Sequence, residues 1–274
     1  MRASLSIRVL LLALCGLASR AAAEVPSAWT EIMSSKKLQA CVMPSYPPYS
    51  WKDASGTWQG FSVEMARDVA KSLHVAPVFV ESSLRTLVLD IQSDKCQLFF
   101  GLNATPERAL AIDFAGPVYT LGFLFVNRKG WTPPGNHWAE LNDPKIRICY
   151  VIGNSAEQQL KRFDPKAQLT ALADTNDCVL ALLAGRVDTY AEGVMGALAA
   201  KQKNANLGDV MPPVPPLALP SYAGMRLDAD GRLQKFVQRW AEYNRANGNI
   251  TDWLLTAIES GGIRRDMIPS DQQF

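Results

Sequence analysis

Apolar runs alternate with stretches of helical periodicity over the first half of this 274-residue chain. Three runs have the length and composition of buried strands: 38–43, 77–80 and 98–100. Between the first two, Met65, Val69 and Leu73 recur at the spacing of one helix face. A second helix is predicted at 84–93. Strands joined by helices indicate an α/β unit.

The same alternation returns after a segment rich in turn-forming residues at 129–136. The predicted strands of this second set are 145–151, 167–171 and 187–191, and the predicted helices are 156–163, 175–183 and 193–201. A proline-rich extended segment at 210–220 then leads to a strand at 222–226 and helices at 232–247 and 250–258. Both halves are therefore predicted to be α/β units.

Two segments are expected to be loops. Residues 44–51 contain three prolines, which lack the N–H that a helix or central strand needs. This loop carries Tyr46, Tyr49 and Trp51, whose rings would either stack on a ligand or cover the end of the core. The second expected loop is 115–119, before an apolar strand at 121–127.

The first 23 residues have the features of a secretory signal peptide. Arg2 and Arg8 accompany an apolar stretch from Val9 onward that is too short for a membrane span, and small residues at 21–23 suit cleavage. A lipidated Cys15 is the competing interpretation, which Leu14 disfavours because it is too large for the preceding position. We expect export to an oxidising compartment.

Removal of residues 1–23 changes the net charge from +2 to −1, because three arginines and no acids are lost. This charge gives no indication of a nucleic-acid partner. Four cysteines remain, at positions 41, 96, 149 and 178. Disulfides are plausible after export, and four cysteines allow three connectivities. Metal binding is the weaker interpretation, because no two cysteines are close in sequence.

The segment 101–108 carries the main candidate site. Thr105 is a good N-cap, and Pro106 suits the first helical position, so the pattern predicts a strand, a glycine turn and a helix start. Helix-terminal N–H groups and the guanidinium of Arg108 would together bind an anion such as a carboxylate. The alternative is a surface arginine that pairs with Glu107 or Asp113.

Other candidate groups follow predicted strands. In open α/β sheets, ligands bind beyond the carboxyl ends of the strands. Here those ends are 46–51, 101–108, 153–155 and 191–193. Two of these strand ends belong to the first α/β unit and two to the second. We therefore expect a ligand to lie between the two units, which would form two similar lobes.

Four motifs together resemble the extracytoplasmic solute-binding proteins of the polar amino-acid type, family 3. They are Tyr46-Pro-Pro-Tyr49, Gly56 with Gly60-Phe61, Thr105-Pro-Glu-Arg108 followed by Ile112-Asp113-Phe114, and Gly185-Arg-Val-Asp188. The resemblance implies an α/β fold of the type II periplasmic class, with two lobes joined by two crossover strands near 121–128 and 219–226. Lobe 1 would comprise 24–128 and 221–274, and lobe 2 would comprise 129–220.

The resemblance also implies a ligand site. Arg108 would hold a ligand carboxylate, with Gly101, Asn103 and Thr105 nearby. Gly153, Asn154 and Ser155 would meet the ligand from lobe 2, and Tyr46, Tyr49 or Trp51 would pack on its body. Each lobe would hold one disulfide, Cys41–Cys96 and Cys149–Cys178, because a bridge between lobes would oppose hinge motion.

The chain departs from the family pattern at several positions. Amino-acid binders usually place an acid near Met43 or Gly193, and neither residue is acidic here. Glu192 is the candidate partner for a ligand ammonium group, although a shift of one residue along a strand reverses the face. Asn103 replaces a common serine or threonine, and Gln97 replaces a common aspartate. Carboxylate binding is expected to persist, and the α-amino group of the ligand is left open.

The favoured function is the periplasmic substrate-binding component of an ABC transporter. Such a monomer would capture a small carboxylated solute without a cofactor or metal and deliver it to a membrane permease. One alternative is a dehydratase-like enzyme on the same fold, in which Glu192 protonates a leaving hydroxyl. Another is an accessory or sensor protein that binds a periplasmic partner. Relatives associated with periplasmic quinoprotein dehydrogenases also carry cysteines near the positions of Cys41 and Cys96.

Overall fold

A computed structural model describes residues 26–264 of the chain. The predicted signal peptide at 1–23 lies outside the described residues. No helix within residues 26–264 is long and apolar enough to cross a membrane.

Ten helices and twelve strands alternate along this described range. The helices are α1 Ala28–Ser35, α2 Phe61–Ser72, α3 Leu87–Gln92, α4 Pro106–Ala109, α5 Trp138–Leu141, α6 Ala156–Phe163, α7 Thr175–Leu183, α8 Val194–Lys203, α9 Arg232–Ala246 and α10 Asn249–Ser260. The strands are β1 Lys37–Val42, β2 Ser45–Tyr46, β3 Ser50–Lys52, β4 Trp58–Gln59, β5 Ala76–Glu81, β6 Phe99–Leu102, β7 Ile112–Arg128, β8 Arg147–Val151, β9 Gln168–Leu172, β10 Thr189–Gly193, β11 Leu207–Met211 and β12 Ala218–Arg226. The predicted α/β class is confirmed.

Strand β7 runs through both halves of the molecule. Its first part, Ile112–Gly122, pairs with β12, which also pairs with β6. Its last part, Phe123–Asn127, pairs with β10, and the order continues through β8 to β9. Strands β7 and β12 therefore connect two α/β units.

The chain returns to the first unit after the second. Helix α9 packs on β7, and α10 packs on α2 and α9. Trp240 of α9 donates its indole N–H to Asp68 of α2 at 2.7 Å and stacks on Trp253 of α10. These contacts tie the last helices to the unit that contains β1, β5 and β6.

The prediction of a loop at 115–119 is wrong, because these residues lie inside β7. The strand continues on both sides of Pro117, which has no N–H to donate. The register between β7 and β12 shifts between Ser221 and Ala223, opposite this position. A proline can lie in a strand where a bulge interrupts the hydrogen-bonded ladder.

The expected loop at 44–51 is also partly wrong. Strands β2, β3 and β4 form a small antiparallel sheet, with Ser45 opposite Trp51 and Trp51 opposite Gln59. The three prolines of this segment lie outside β2 and β3. The short strands escaped prediction because strands of two or three residues carry too little periodicity to be recognised.

Two disulfides join the cysteines in the pairs that the resemblance implies. Cys41 of β1 is bonded to Cys96, with Cα atoms 5.5 Å apart, and Cys149 of β8 is bonded to Cys178 of α7, with Cα atoms 5.9 Å apart. All four cysteines are buried. Each bridge therefore joins elements of one unit.

Candidate functional site

Helix α4 begins as the sequence predicts. Thr105 is its N-cap, and the Thr105 hydroxyl accepts from the N–H of Arg108 at 3.4 Å. Pro106 is at the first helical position. The helix has only four residues, so its macrodipole is small and the charge of Arg108 is the main attraction for an anion.

Arg108 reaches across to the second unit. Its guanidinium donates to the carbonyl of Asn103 at 2.9 Å and to the carbonyl of Gly153 at 2.6 Å. Neither Glu107 nor Asp113 forms an ion pair with it among the described residues. A guanidinium has five N–H donors. Donors beyond the two used here can bind a carboxylate in the cleft.

The turn after β8 closes the site from the other side. Gly153 has φ +83°, and a Cβ added there would lie 2.5 Å from the carbonyl oxygen of Leu84. Only glycine permits this approach between the two units. Ser155 donates its hydroxyl proton to Asn103 Oδ1 at 2.6 Å. Asn154 Oδ1 accepts from the N–H of Ala156, the first residue of α6, at 3.1 Å.

Glu192 lies near the end of β10, with only 1% of its surface exposed. Its Oε1 accepts from Asn154 Nδ2 at 2.7 Å, from the N–H of Gly193 at 2.7 Å and from the Tyr46 hydroxyl at 3.5 Å. The Tyr190 hydroxyl donates to its Oε2. Burial raises the pKa of Glu192, and these hydrogen bonds oppose that rise by stabilising the carboxylate.

Tyrosine rings form one wall beside Glu192. Tyr46 and Tyr49 are stacked, with ring centroids 4.5 Å apart and planes 15° from parallel. Gly101 brings β6 close to them, because a Cβ at this position would lie 3.0 Å from the Tyr119 hydroxyl and 3.3 Å from the Tyr49 ring. The aromatic rings of residues 46 and 49 therefore line the site and also cover the core.

These groups surround a cavity of about 40 Å³, measured as the space open to the centre of a water molecule. It is lined by Tyr46, Tyr49, Leu84, Gly101, Leu102, Asn103, Arg108, Leu121, Gly122, Phe123, Gly153, Asn154, Ser155, Glu192, Gly193 and Ser221. Space of this size holds a few water molecules. The space left in the cleft is thus a small polar chamber.

Two of the predicted ligand residues do not line this cavity. Trp51 pairs within the small sheet, between Ser45 and Gln59. Thr105 acts on the site through its cap of α4, which positions Arg108. The other nine candidates line the cavity together.

The structure adds lining residues that the sequence did not single out. Leu84 enters from the segment before α3, and Leu121, Gly122, Phe123 and Ser221 come from the two connecting strands. Their sequence signal was ambiguous, because an apolar strand residue is expected in a core. Only the pairing of β7 with β12 and β10 shows that these residues reach the cleft.

The sequence pattern of the family of bacterial extracellular solute-binding proteins, family 3, matches residues 38–250. This chain belongs to that family. A match of this length includes both α/β units, both connecting strands and every cavity-lining residue. The family description names extracellular solute-binding proteins, and the cavity lies between the two units.

The individual relatives share only a minor fraction of their residues with this chain. A probable histidine-binding protein of Campylobacter jejuni is 24% identical over 59% of this chain and 62% of its own length. The cyclohexadienyl dehydratase of Pseudomonas aeruginosa is 23% identical over 91% of this chain and 95% of its own. The matches to the first four curated relatives span 36% to 62% of those proteins.

Solved structures agree on the fold. The chain is similar to an amino acid ABC transporter substrate-binding protein from Streptococcus pneumoniae bound to L-arginine. The TM-score is 0.74 at 25% identity, covering 87% of this chain and 99% of the other. The fold is therefore the two-lobed type II periplasmic binding fold, with β7 and β12 as its crossover strands.

Proposed function

We propose that this chain is the periplasmic substrate-binding component of an ABC transporter. It captures a small carboxylated solute, an amino acid or a related compound, between its two lobes and presents it to a membrane permease as a monomer. Export follows cleavage after Ala23. The observation that carries the proposal is Arg108, a half-buried guanidinium that faces a small polar chamber between the lobes.

The proposed lobes are 24–128 with 221–274, and 129–220. Two connecting strands support this division, because a rotation about β7 and β12 moves one unit relative to the other without breaking either core. In the open form the solute meets Arg108 on lobe 1. Closure then brings Gly153, Asn154 and Ser155 over it and removes water, which strengthens the charged hydrogen bonds.

The test is Arg108→Ala, with binding of carboxylates measured by calorimetry. Loss of a hydrogen bond to a charged group costs roughly 1.5–3 kcal/mol, so affinity should fall by roughly ten- to more than a hundredfold. Arg239→Ala is the matched control, because this arginine is exposed on α9 and pairs with Glu242. Equal affinities of the Arg108→Ala variant and the unaltered chain would remove Arg108 from the site.

A second candidate function is a dehydratase-like enzyme, which the burial of Glu192 favours. A carboxyl group whose pKa is raised can donate a proton to a leaving hydroxyl. A dehydratase relative covers 91% of this chain. Four donors directed at Glu192 weigh against the enzyme, because they stabilise the carboxylate form.

Incubation with prephenate or arogenate tests this second candidate function. Formation of an aromatic product that Glu192→Gln abolishes would support the enzyme, and absence of product would argue against it.

A further inference from the structure

Glu192 is the one acidic residue that lines the chamber within the described part of the chain. Arg108 is the one basic residue in the same lining. A zwitterionic ligand needs a partner for its cationic end as well as for its carboxylate. The chemistry of Glu192 therefore decides whether this chamber accepts an α-ammonium group.

The protein already supplies Glu192 with hydrogen-bond donors. Asn154, Gly193, Tyr46 and Tyr190 direct four donors at its two oxygens. A carboxylate offers about four lone-pair sites. Three of the four contacts are short and come from groups of lobe 2 itself: Asn154 Nδ2 at 2.7 Å, the N–H of Gly193 at 2.7 Å and the Tyr190 hydroxyl. They do not depend on a ligand.

The position of Glu192 also limits its reach. Gly193 is the N-cap of α8, so the carboxylate lies at the N-terminus of a ten-residue helix. Partial positive charge at this terminus stabilises an anion. A Cβ at Gly196 would lie 2.8 Å from Cγ of Glu192, so the side chain packs directly against the first turn of α8. The negative charge of Glu192 is therefore stabilised by the N-terminus of α8, by a backbone N–H and by neutral side chains, without a cation.

We propose that this cleft selects a carboxylate without an α-ammonium group. A 2-oxo acid, or another carboxylic acid with an uncharged body, then binds more tightly than the corresponding α-amino acid. The inference rests on the proposed function and names the substrate class of the same site. Arg108 binds the carboxylate, while Glu192 acts as a positioning residue that orients Asn154 and Tyr46.

The space next to the chamber suits an uncharged ligand body. A second cavity of about 270 Å³ lies beyond Tyr46 and Leu84, which line both spaces. Its walls include Met43, Pro44 and Val151. Asp174 is the one charged residue in this lining among positions 26–264, and its carboxylate caps α7 by accepting from the N–H of Asp177 at 2.9 Å. A ligand too large for the inner chamber would extend past Tyr46 and Leu84 into this space, whose lining is uncharged apart from Asp174.

The first experiment compares matched pairs of ligands by calorimetry on the disulfide-bonded chain. The pairs are 4-methyl-2-oxopentanoate with leucine, phenylpyruvate with phenylalanine, and 2-oxoglutarate with glutamate. We expect a 2-oxo acid from one of the first two pairs to bind at least tenfold more tightly than its amino-acid partner. Tighter binding of any amino acid than of its 2-oxo partner overturns the inference and leaves the proposed function standing. If no member of any pair binds, both fail.

The second experiment adds an acid where the chamber has space. Gly193 has no positive φ, and a Cβ there would meet only the Tyr49 hydroxyl, at 3.6 Å. Gly193→Asp therefore introduces a carboxylate on a Cβ that meets no close neighbour, and Gly193→Asn is the isosteric neutral control. We expect Asp, and not Asn, to raise affinity for the amino acid of a pair at least tenfold and to weaken binding of the 2-oxo acid. Equal amino-acid affinities of the two variants would contradict the inference.

Discussion

Two buried carboxyl groups of this chain differ in their surroundings. Glu192 accepts hydrogen bonds from four residues. Asp164, at the end of α6, is fully buried, and neither of its carboxyl oxygens has a hydrogen-bond partner in the described structure. Burial raises the pKa of Asp164 from 3.8 to about 7. One group is built into the site, and the other weakens the fold when it ionises.

Asp164 should make stability depend on pH. The folded chain keeps a proton on Asp164 that the unfolded chain loses, so the free energy of unfolding should fall as pH rises from about 4 to about 7. Asp164→Asn removes this contribution. At roughly 1.4 kcal/mol per pKa unit, the variant should be more stable than the unaltered chain by roughly 2–4 kcal/mol at pH 8 and similar to it at pH 4.

Urea unfolding at the two pH values provides the measurement. Asp53 supplies a control, because it is a half-buried aspartate whose pKa is lowered to about 2 by hydrogen bonds from Ser55, Gln59 and Thr57. Its Asn variant should not gain stability at pH 8. A pH-independent difference between the Asp164→Asn variant and the unaltered chain would refute the assignment.

Among the elements, prediction succeeded where local signals were complete. Helix α6 has the bounds that its periodicity predicts, and α4 begins at Thr105 and Pro106 as expected. Prediction failed at β7, because Gly116 and Pro117 are locally typical of a loop and only the partner strand β12 accommodates them. Strand β11 was also missed, since its pairing with β7 is not visible in a short sequence of mixed polarity.

The site shows the same contrast. Residues at or just beyond strand ends, such as Asn103, Asn154 and Glu192, could be found from the predicted strands and from the family resemblance. Leu84 and Ser221 could not, because their place in the cleft depends on how the two lobes meet. The contact of Tyr46 with Glu192 was equally hidden, since Tyr46 lies 146 positions away along the chain.

The disulfides stabilise separate elements, and their loss should therefore be additive. Cys41–Cys96 closes a segment of 55 residues and Cys149–Cys178 one of 29. Loop-closure entropy predicts losses of about 4 and about 3.5 kcal/mol when both cysteines of a pair are replaced by alanine. Denaturant unfolding of the two double variants and of the fourfold variant measures this. If the variant that lacks all four cysteines loses much less stability than the sum of the two double variants, the bridges act on one shared element.

At the scale of the whole molecule, the lobes touch through direct hydrogen bonds. Arg108 donates to Gly153, Ser155 donates to Asn103, and Gln158 donates to Glu107 at 2.6 Å. Each contact joins the two α/β units. The closed form is therefore stabilised by the protein itself as well as by a solute, so weakening one contact should shift the balance towards the open form.

Ser155→Ala tests this balance. Loss of its hydrogen bond costs roughly 0.5–1.5 kcal/mol, so we expect solute dissociation to become roughly two- to tenfold faster. Small-angle scattering of the solute-free variant should show a larger radius of gyration. Ser34→Ala, on an exposed face of α1, is the control. An unchanged dissociation rate together with unchanged scattering would mean that this contact does not hold the lobes closed.

The pairing of β7 with β12 has a consequence for how the molecule can be divided. Gly122 and Ala218 are register partners on neighbouring strands. The two ends of the intervening segment, residues 123–217, are therefore attached to the first unit at adjacent points. A segment whose ends meet is a removable module. Exchanging it with the equivalent segment of a relative requires two junctions only a strand spacing apart, and would give a chimaera whose two walls come from different parents.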